Sequence, residues 1–510
     1  MPVIAITDAT LSGYWPLDEG EGTTAVDWSG HGGYGTLIGG PQWADGLYGG
    51  ALSFTGAGQY VNCGTAAADI TGDLTLAAWI KMAPNNSGKY MGIAGRLNGV
   101  YQGFALVRHS SDVLRLWVGD GSTDLAKSAV NSDVTYTDTE WRHVAMVHEG
   151  QANRLFVDGK KQAGTNVTLV PNPEFFHIGR QYSHLNDRYF NGLIDDVRVY
   201  NKAMTEDQIK QVLAGDPLVA SDPAPGIGAM VDIRSADSLS WSAGAGASSH
   251  DVYFGTNRKA VAGAGTSSPE FKGNQPGTSF SLSGLVAFGG GDCYWRIDEV
   301  EAGGQVHTGY VWKFTVPAFL ILDDFEGYSD DTDAYKAVFQ TWLDGFGYTQ
   351  PVVVAGNGTS STVGYAESKN STFCETVAVH GGGQSMPFDY NNINAPYYSE
   401  TSRTWSTAQD WTAEGVTALV LYVKGAKGND ATQPLYVALE NQGKAPVVVN
   451  LDAAALSSTS WTEQKIPLSQ FTGVNPAAVK KMYIGVGDRK SPKPGGHGVL
   501  YIDDIRLVKP

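Results

Sequence analysis

The chain has 510 residues, with 35 Lys and Arg against 52 Asp and Glu, a formal net charge of -17 and 64 glycines. Abundant glycine with 11% aromatic and only 17% charged residues indicates about three all-β domains joined by tight turns, not helical bundles or disorder. The acidic balance argues against nucleic acid or anionic membrane as partner, since both need clustered Lys and Arg, and no apolar run reaches membrane-spanning length.

The three cysteines, Cys63, Cys293 and Cys374, fall one in each expected domain, which leaves no intradomain disulfide and no zinc-ligand spacing. The opening segment, residues 1–7, lacks the charged and long apolar parts of a signal peptide. Export to the cell exterior or surface, with any leader removed, is therefore an expectation drawn from the module types below.

Residues 1–215 alternate short apolar runs with glycine turns, at 51–54, 74–80, 104–107, 114–118, 143–147 and 154–159. That spacing predicts an antiparallel sandwich. One helix follows: Thr205 and Gln208 form a capping box, Glu206 and Asp207 suit the positive end of the helix dipole, and Gly215 can end it. The domain closes on Gly192-Leu193-Ile194-Asp195-Asp196-Val197-Arg198-Val199-Tyr200, which returns almost unchanged at the end of the chain as Leu500-Tyr501-Ile502-Asp503-Asp504-Ile505-Arg506-Leu507-Val508. Strand alternation puts Asp195 on one face with Val197 and Val199, and Asp503 with Ile505 and Leu507, so each first aspartate is expected on the apolar, inward face. A carboxylate there needs donors or a cation, and the simplest cation for an oxygen-only cluster is calcium. Acidic partners stand near each domain start, at Asp18 and at Asp323, Asp324 and Glu326. They could share the ion if first and last strands lie side by side.

Tyr14-Trp15-Pro16-Leu17-Asp18-Glu19-Gly20, Asp27-Trp28-Ser29-Gly30-His31-Gly32, Trp141-Arg142-His143-Val144-Ala145, Leu155-Phe156-Val157-Asp158-Gly159 and the 192–200 strand resemble the laminin-G-like or pentraxin-like module of the concanavalin A lectin/glucanase superfamily. The resemblance implies a jelly-roll sandwich and points to Asp195 and the segment around Asp18 as calcium ligands. It implies little about activity, because the fold serves lectins, hydrolases, lyases and adhesion modules. The Glu-x-Asp-x-Glu run that carries retaining hydrolysis in glucanases of this fold is missing from the sequence. A lyase would draw on Arg180-Gln181-Tyr182-Ser183-His184 and Arg188, a stretch that reads equally as a polar loop. Trp117, Tyr34, Tyr90 and Tyr101 are the aromatics that could stack on sugars.

The stretch 216–226, rich in Pro and small residues, reads as a short stiff linker. Residues 216–317 then carry Leu239-Ser240-Trp241, a Tyr253-Phe254-Gly255 strand, Cys293-Tyr294-Trp295 and Val311-Trp312-Lys313-Phe314, the pattern of an immunoglobulin-like sandwich. It resembles a bacterial fibronectin type III module, which implies a spacer.

Residues 318–510 show further strands at 352–354, 418–423, 435–439 and 481–486, and predict a jelly roll. Leu322-Asp323-Asp324-Phe325-Glu326 at one end and Tyr501-Ile502-Asp503-Asp504-Ile505-Arg506-Leu507 at the other resemble the galactose-binding-like jelly rolls that include many carbohydrate-binding modules. That resemblance implies a structural calcium on Asp323 or Asp324, Glu326 and Asp503. In the loops, aromatic, amide, carboxylate and guanidinium groups occur together, a mixture that suits sugars. The candidate contacts are Trp342, Asp344, His380, Gln384, Tyr390, Tyr398, Glu400, Asp488 and Arg489, with Trp117 from the first domain.

The reading is an all-β chain of three tandem modules, extracellular and stabilised by calcium, that binds polysaccharide or glycoconjugate with no catalytic residues of its own. A polysaccharide-degrading hydrolase or lyase, and a surface protein whose copies self-associate, are the alternatives.

Overall fold

The computed structural model describes residues 9–509 apart from 66–69, 84–87, 122–128, 138, 182–186 and 365–371. Tyr182, Ser183 and His184 of the lyase candidate lie outside the described residues. The chain folds into two compact units, one of residues 1–231, 237–285 and 292–315, the other of 232–236, 286–291 and 316–510. Both are almost entirely β.

The N-terminal part of the first unit is a sandwich of two eight-stranded sheets. One sheet runs Lys160–Asn166, Ala152–Val157, Trp141–Glu149, Leu74–Met82, Asn191–Tyr200, Gly50–Thr55 and Gln42–Asp45, with Leu11–Trp15 paired antiparallel to Asn191–Tyr200. The other runs Ala129–Thr135, Val113–Asp120, Gln102–Arg108, Met91–Leu97, His177–Ile178, Tyr60–Asn62, Gly35–Ile38 and Thr24–Ala25. Alternate residues of each strand meet between the sheets, among them Leu76, Ala78 and Ile80 from one and Leu114, Leu116 and Val118 from the other. The helix Glu206–Leu213 starts at the expected capping box of Thr205 and Gln208. It buries Ile209 and Val212 against Ala145 and Tyr200 on the outer side of the first sheet.

Residues 221–231, 237–285 and 292–315 add a three-stranded sheet and most of a six-stranded sheet to this unit. Their aromatic centre is Trp295, which meets Trp312 at 4.6 Å and Trp241 at 6.3 Å.

The second unit is built the same way, from a six-stranded and a five-stranded sheet. The six-stranded sheet holds Ser361–Val363, Met386–Asn391, His497–Val508, Ala418–Lys424 and Thr462–Pro467, and Phe319–Asp323 pairs with the closing strand. Trp342, Trp411, Val437, Ile484, Leu500 and Ile502 meet in its core. First and last strands are thus neighbours in both sandwiches, as the acidic pairs had suggested.

Strict alternation fails at both closing strands. Ile194 and Val197 both face the first core, and Ile502 and Ile505 both face the second, which an unbroken strand cannot arrange. The cause is a bulge at the second aspartate of each pair: Asp196 has φ 50 and Asp504 φ 47, and the pairing register shifts beside each. Asp195 therefore lies opposite Trp79, and Asp503 opposite Tyr422, residues outside the two cores. The expected inward orientation is corrected: both first aspartates are buried, at 0% exposure, but on the outer face of their sheets. Aspartate tolerates the left-handed region better than branched residues do. Asp504→Val should cost about 1–2 kcal/mol more than Asp504→Asn in urea denaturation, because only valine resists that conformation.

Candidate functional site

Asp195 reaches the loop before strand Gly50–Thr55, where its Oδ2 accepts the N–H groups of Leu47 (2.7 Å) and Tyr48 (3.0 Å). Its Oδ1 is buried and makes no hydrogen bond among the described residues. Asp18 approaches the same loop from the first strand and accepts the Gly50 N–H. Glycine is required at that approach, since a Cβ on Gly50 would lie 2.5 Å from the Leu17 carbonyl oxygen. Arg258 donates to the Asp18 carbonyl at 2.8 Å and stands 3.7 Å from its carboxylate. Burial pushes the Asp18 carboxyl up to about 7, against the pull of Arg258 and the Gly50 N–H. Burial, with the charges of Asp196 and Asp18, holds Asp195 well above the usual carboxylate range. A buried, orphaned carboxylate oxygen next to a second acid fits a cation. No cluster of three or more His, Cys, Asp or Glu forms among the described residues, so a cation here would draw most of its ligands from main-chain and water oxygens.

The acids of the second unit are arranged differently. Asp503 Oδ2 accepts the N–H groups of His380 (2.8 Å) and Gly381 (3.2 Å), and Oδ1 accepts that of Asp504 (2.8 Å). Burial lifts its pKa to about 7 although those donors pull the other way. Glu326 accepts the N–H groups of Gly383 and Gln384, so one glycine loop is pinned by two carboxylates. Asp324 caps a turn through the Glu326 N–H at 3.2 Å. Asp323 stands in a separate network: it takes donors from Tyr328 Oη (2.6 Å), Trp342 Nε1 (2.7 Å), the Phe325 N–H (3.0 Å) and the Arg403 guanidinium (2.6 Å). The charge expected to meet a metal ion is met there by arginine.

Most candidate sugar contacts serve the fold. Trp342 is 1% exposed, with its indole N–H on Asp323. Glu400 is buried, accepts the Tyr436 hydroxyl at 2.8 Å and lies 3.4 Å from Arg489, whose guanidinium sits over the Tyr483 ring. His380 stacks on Tyr422 at 3.5 Å and bonds Asp504 at 2.5 Å. The Gln384 side chain donates to the Tyr328 carbonyl, Asp488 caps the turn at Lys490 and Ser491, and Tyr398 packs beside Gly487. Trp117 is buried in the first unit, stacked on Tyr101 at 6.0 Å.

Tyr390 too is a core residue, 2% exposed, and it borders an open cleft of about 880 Å³ in the second unit, formed by the 345–362, 389–396, 426–429 and 497–499 segments. Phe346 stands at its rim with 74% of its surface exposed, and Asp389, Asn391, Lys427 and His497 supply polar groups along the wall. The rim is built from below by Asp344, which accepts the N–H groups of Phe346 (2.9 Å), Gly347 (2.8 Å) and Val363 (2.9 Å) and so ties the turn to the sheet. Asp344 is thus a positioning residue rather than a contact. The opposite wall is fixed by Asn429, whose amide donates to the Leu456 and Val499 carbonyls at 2.7 Å each. A ring held out between two glycines, in Gly345-Phe346-Gly347, was the signal in the sequence that could have found this site.

A family model described as the concanavalin A-like lectin/glucanases superfamily matches residues 55–210. Adhesion G-protein coupled receptor V1 of Danio rerio is 27% identical over 153 residues, 28% of this chain; the chain spans 2% of that relative's length. Among solved structures, domain 4 of AbnA, a GH43 extracellular arabinanase from Geobacillus stearothermophilus in complex with arabinotriose, is 19% identical over 40% of this chain and 98% of its own, at TM-score 0.34. Trypanosoma rangeli sialidase in complex with sialic acid is 16% identical over 41% of this chain and 33% of its own, at TM-score 0.33. A heptameric SAP-like pentraxin from Limulus polyphemus is 16% identical over 33% of this chain and 84% of its own, at TM-score 0.25.

Proposed function

We propose that this chain is an extracellular or cell-surface carbohydrate-binding protein that recognises polysaccharide or glycoconjugate without a catalytic site of its own. The observation that carries the reading is the cleft around Phe346: an exposed ring at its rim, polar side chains along its wall, and both walls tied to the sheet by side-chain hydrogen bonds. Aromatic rings take the C–H faces of a sugar, and fixed polar groups select its hydroxyls, at little ordering cost when the walls are already rigid. The superfamily match in residues 55–210 supports the same class of ligand for the chain. In this reading residues 216–317 are a fibronectin type III-like spacer and residues 318–510 a galactose-binding-like jelly roll. A calcium ion held by Asp18 and Asp195 would stabilise the first sandwich. In the second, backbone N–H groups already satisfy Asp503 and Glu326.

The test is retention on a polysaccharide panel, read for binding and for released sugar or unsaturated product. Binding without product is expected. Phe346→Ala should weaken retention by about 1–2 kcal/mol, roughly five- to thirty-fold, through loss of an exposed ring that stacks on the sugar. Retention unchanged in that variant, or product release by the wild type, would count against the proposal.

A further inference from the structure

Within the first unit, the residues after 216 do not stand clear of the N-terminal sandwich. Lys313 Nζ lies 2.6 Å from Asp45, Lys259 Nζ 2.5 Å from Glu21, and the Tyr310 ring 5.5 Å from that of Tyr48. Asp195 accepts the N–H of that same Tyr48, so the joint reaches the loop that holds the buried acids. Arg258 completes it. Its Nη1 donates to the Asp18 carbonyl at 2.8 Å, and its Nη2 lies 3.7 Å from Asp18 Oδ1. Two glycines make room for the guanidinium: a Cβ on Gly20 would lie 2.7 Å from Nη1, and one on Gly50 3.1 Å from Nη2.

The guanidinium is held ready from behind. Arg258 opens the short helix Arg258–Ala262, whose start is fixed by Asn257 accepting the Ala260 N–H at 2.9 Å. Arg296 grips the far end by donating to the carbonyls of Val261, Ala262 and Ala264 at 2.7, 2.7 and 2.8 Å. The acids that Arg258 meets are incompletely satisfied. Asp195 Oδ1 and Glu19 Oε2 are buried and make no hydrogen bond among the described residues, and the charge of Arg258 acts on Glu19 as well as on Asp18. Arg198, the other guanidinium nearby, is already paired with Asp196 at 3.0 Å. Buried carboxylate oxygens left open call for a cation, and the chain brings one of its own to the edge of the loop.

A hard divalent cation in this loop would draw on Asp18 oxygens that the guanidinium now engages, and two positive charges at one carboxylate repel each other. We propose that Arg258 is a built-in competitor for that ion: without calcium it closes the acidic loop and fastens the joint, and calcium bound at Asp18 and Asp195 expels it and loosens the N-terminal sandwich from the residues that follow. The proposal rests on the calcium reading of Asp18 and Asp195 given above, and adds that occupancy of the loop is coupled to docking. By linkage the coupling is reciprocal, so whatever removes Arg258 from the loop tightens the ion.

The experiment uses the full chain, stripped with chelator and titrated with calcium by isothermal calorimetry. Arg258→Gln, which removes the charge and keeps a polar side chain, should bind calcium roughly ten-fold more tightly than wild type, and Asp195→Asn should abolish binding. Docking is read separately, as the distance between spin labels on Tyr34→Cys and Val306→Cys, exposed positions on the two sides of the joint; the three native cysteines are buried. Calcium should lengthen and broaden that distance in wild type, and Arg258→Gln should show the broadened distribution before calcium is added. The wild-type distance stands as a test even if Arg258→Gln fails to fold. Affinity unchanged or weakened in Arg258→Gln while Asp195→Asn abolishes binding, or a distance that calcium leaves as it was, would overturn the coupling alone. No binding in any variant, or binding that survives Asp195→Asn, would overturn the calcium reading beneath it and the proposal with it.

Discussion

Asp323→Ala is expected to lower the stability of the second unit by about 3–5 kcal/mol in urea denaturation, the usual cost of removing one partner of a buried ion pair. Four donors converge on that carboxylate: the Arg403 guanidinium, the Trp342 indole, the Tyr328 hydroxyl and the Phe325 N–H. Trp342 and Phe325 belong to the core, so the loss unsettles packing as well as charge. Arg403 would keep the Leu322 carbonyl at 2.6 Å but lose its carboxylate partner. Asp324→Ala, one residue on, removes a single 3.2 Å turn bond and should cost less than about 1 kcal/mol. Equal effects of the two substitutions would contradict the assignment of Asp323 as the hub.

In the presence of chelator, the thermal midpoint should rise as pH falls from 8 to 5. Asp18 and Asp503 have pKa values lifted to about 7 by burial, and Asp195 is raised as well. Unfolded aspartates titrate near 3.9, roughly, so between that value and 7 the folded chain holds protons that the unfolded chain does not. The associated stability is complete below the unfolded value and is lost as pH rises through 7. The proposed calcium ion would offer Asp18 and Asp195 a partner for their charged form, so adding calcium at pH 8 should raise the midpoint and flatten the slope. Asp195→Asn should abolish the calcium increment while leaving the Asp503 part of the slope. A midpoint indifferent to pH without calcium would contradict the buried-carboxylate account.

The strands and the helix cap were legible because they rest on local periodicity: the 74–80, 114–118 and 143–147 runs all lie inside strands, and Thr205 and Gln208 cap the helix as spaced. Adjacency of first and last strands followed from the repeated closing motif. The face of Asp195 and Asp503 was not legible, since one residue in the left-handed region inverts everything after it and period-two counting cannot see it. Asp323 and Asp503 look alike in sequence, yet Arg403, eighty residues away, neutralises one while a glycine loop serves the other. The cleft escaped for a related reason: its walls come from four segments far apart in the chain, and Asp344 was read as a contact when it is the support beneath Phe346.

The most direct measurement is a hydrogen-exchange footprint of the full chain with the oligosaccharide that the polysaccharide panel retains best. Slower exchange is expected in the 345–362, 389–396, 426–429 and 497–499 segments, all four together, and not in Phe346→Ala at the same ligand concentration. Binding that leaves those segments unprotected would contradict a glycan site in the cleft.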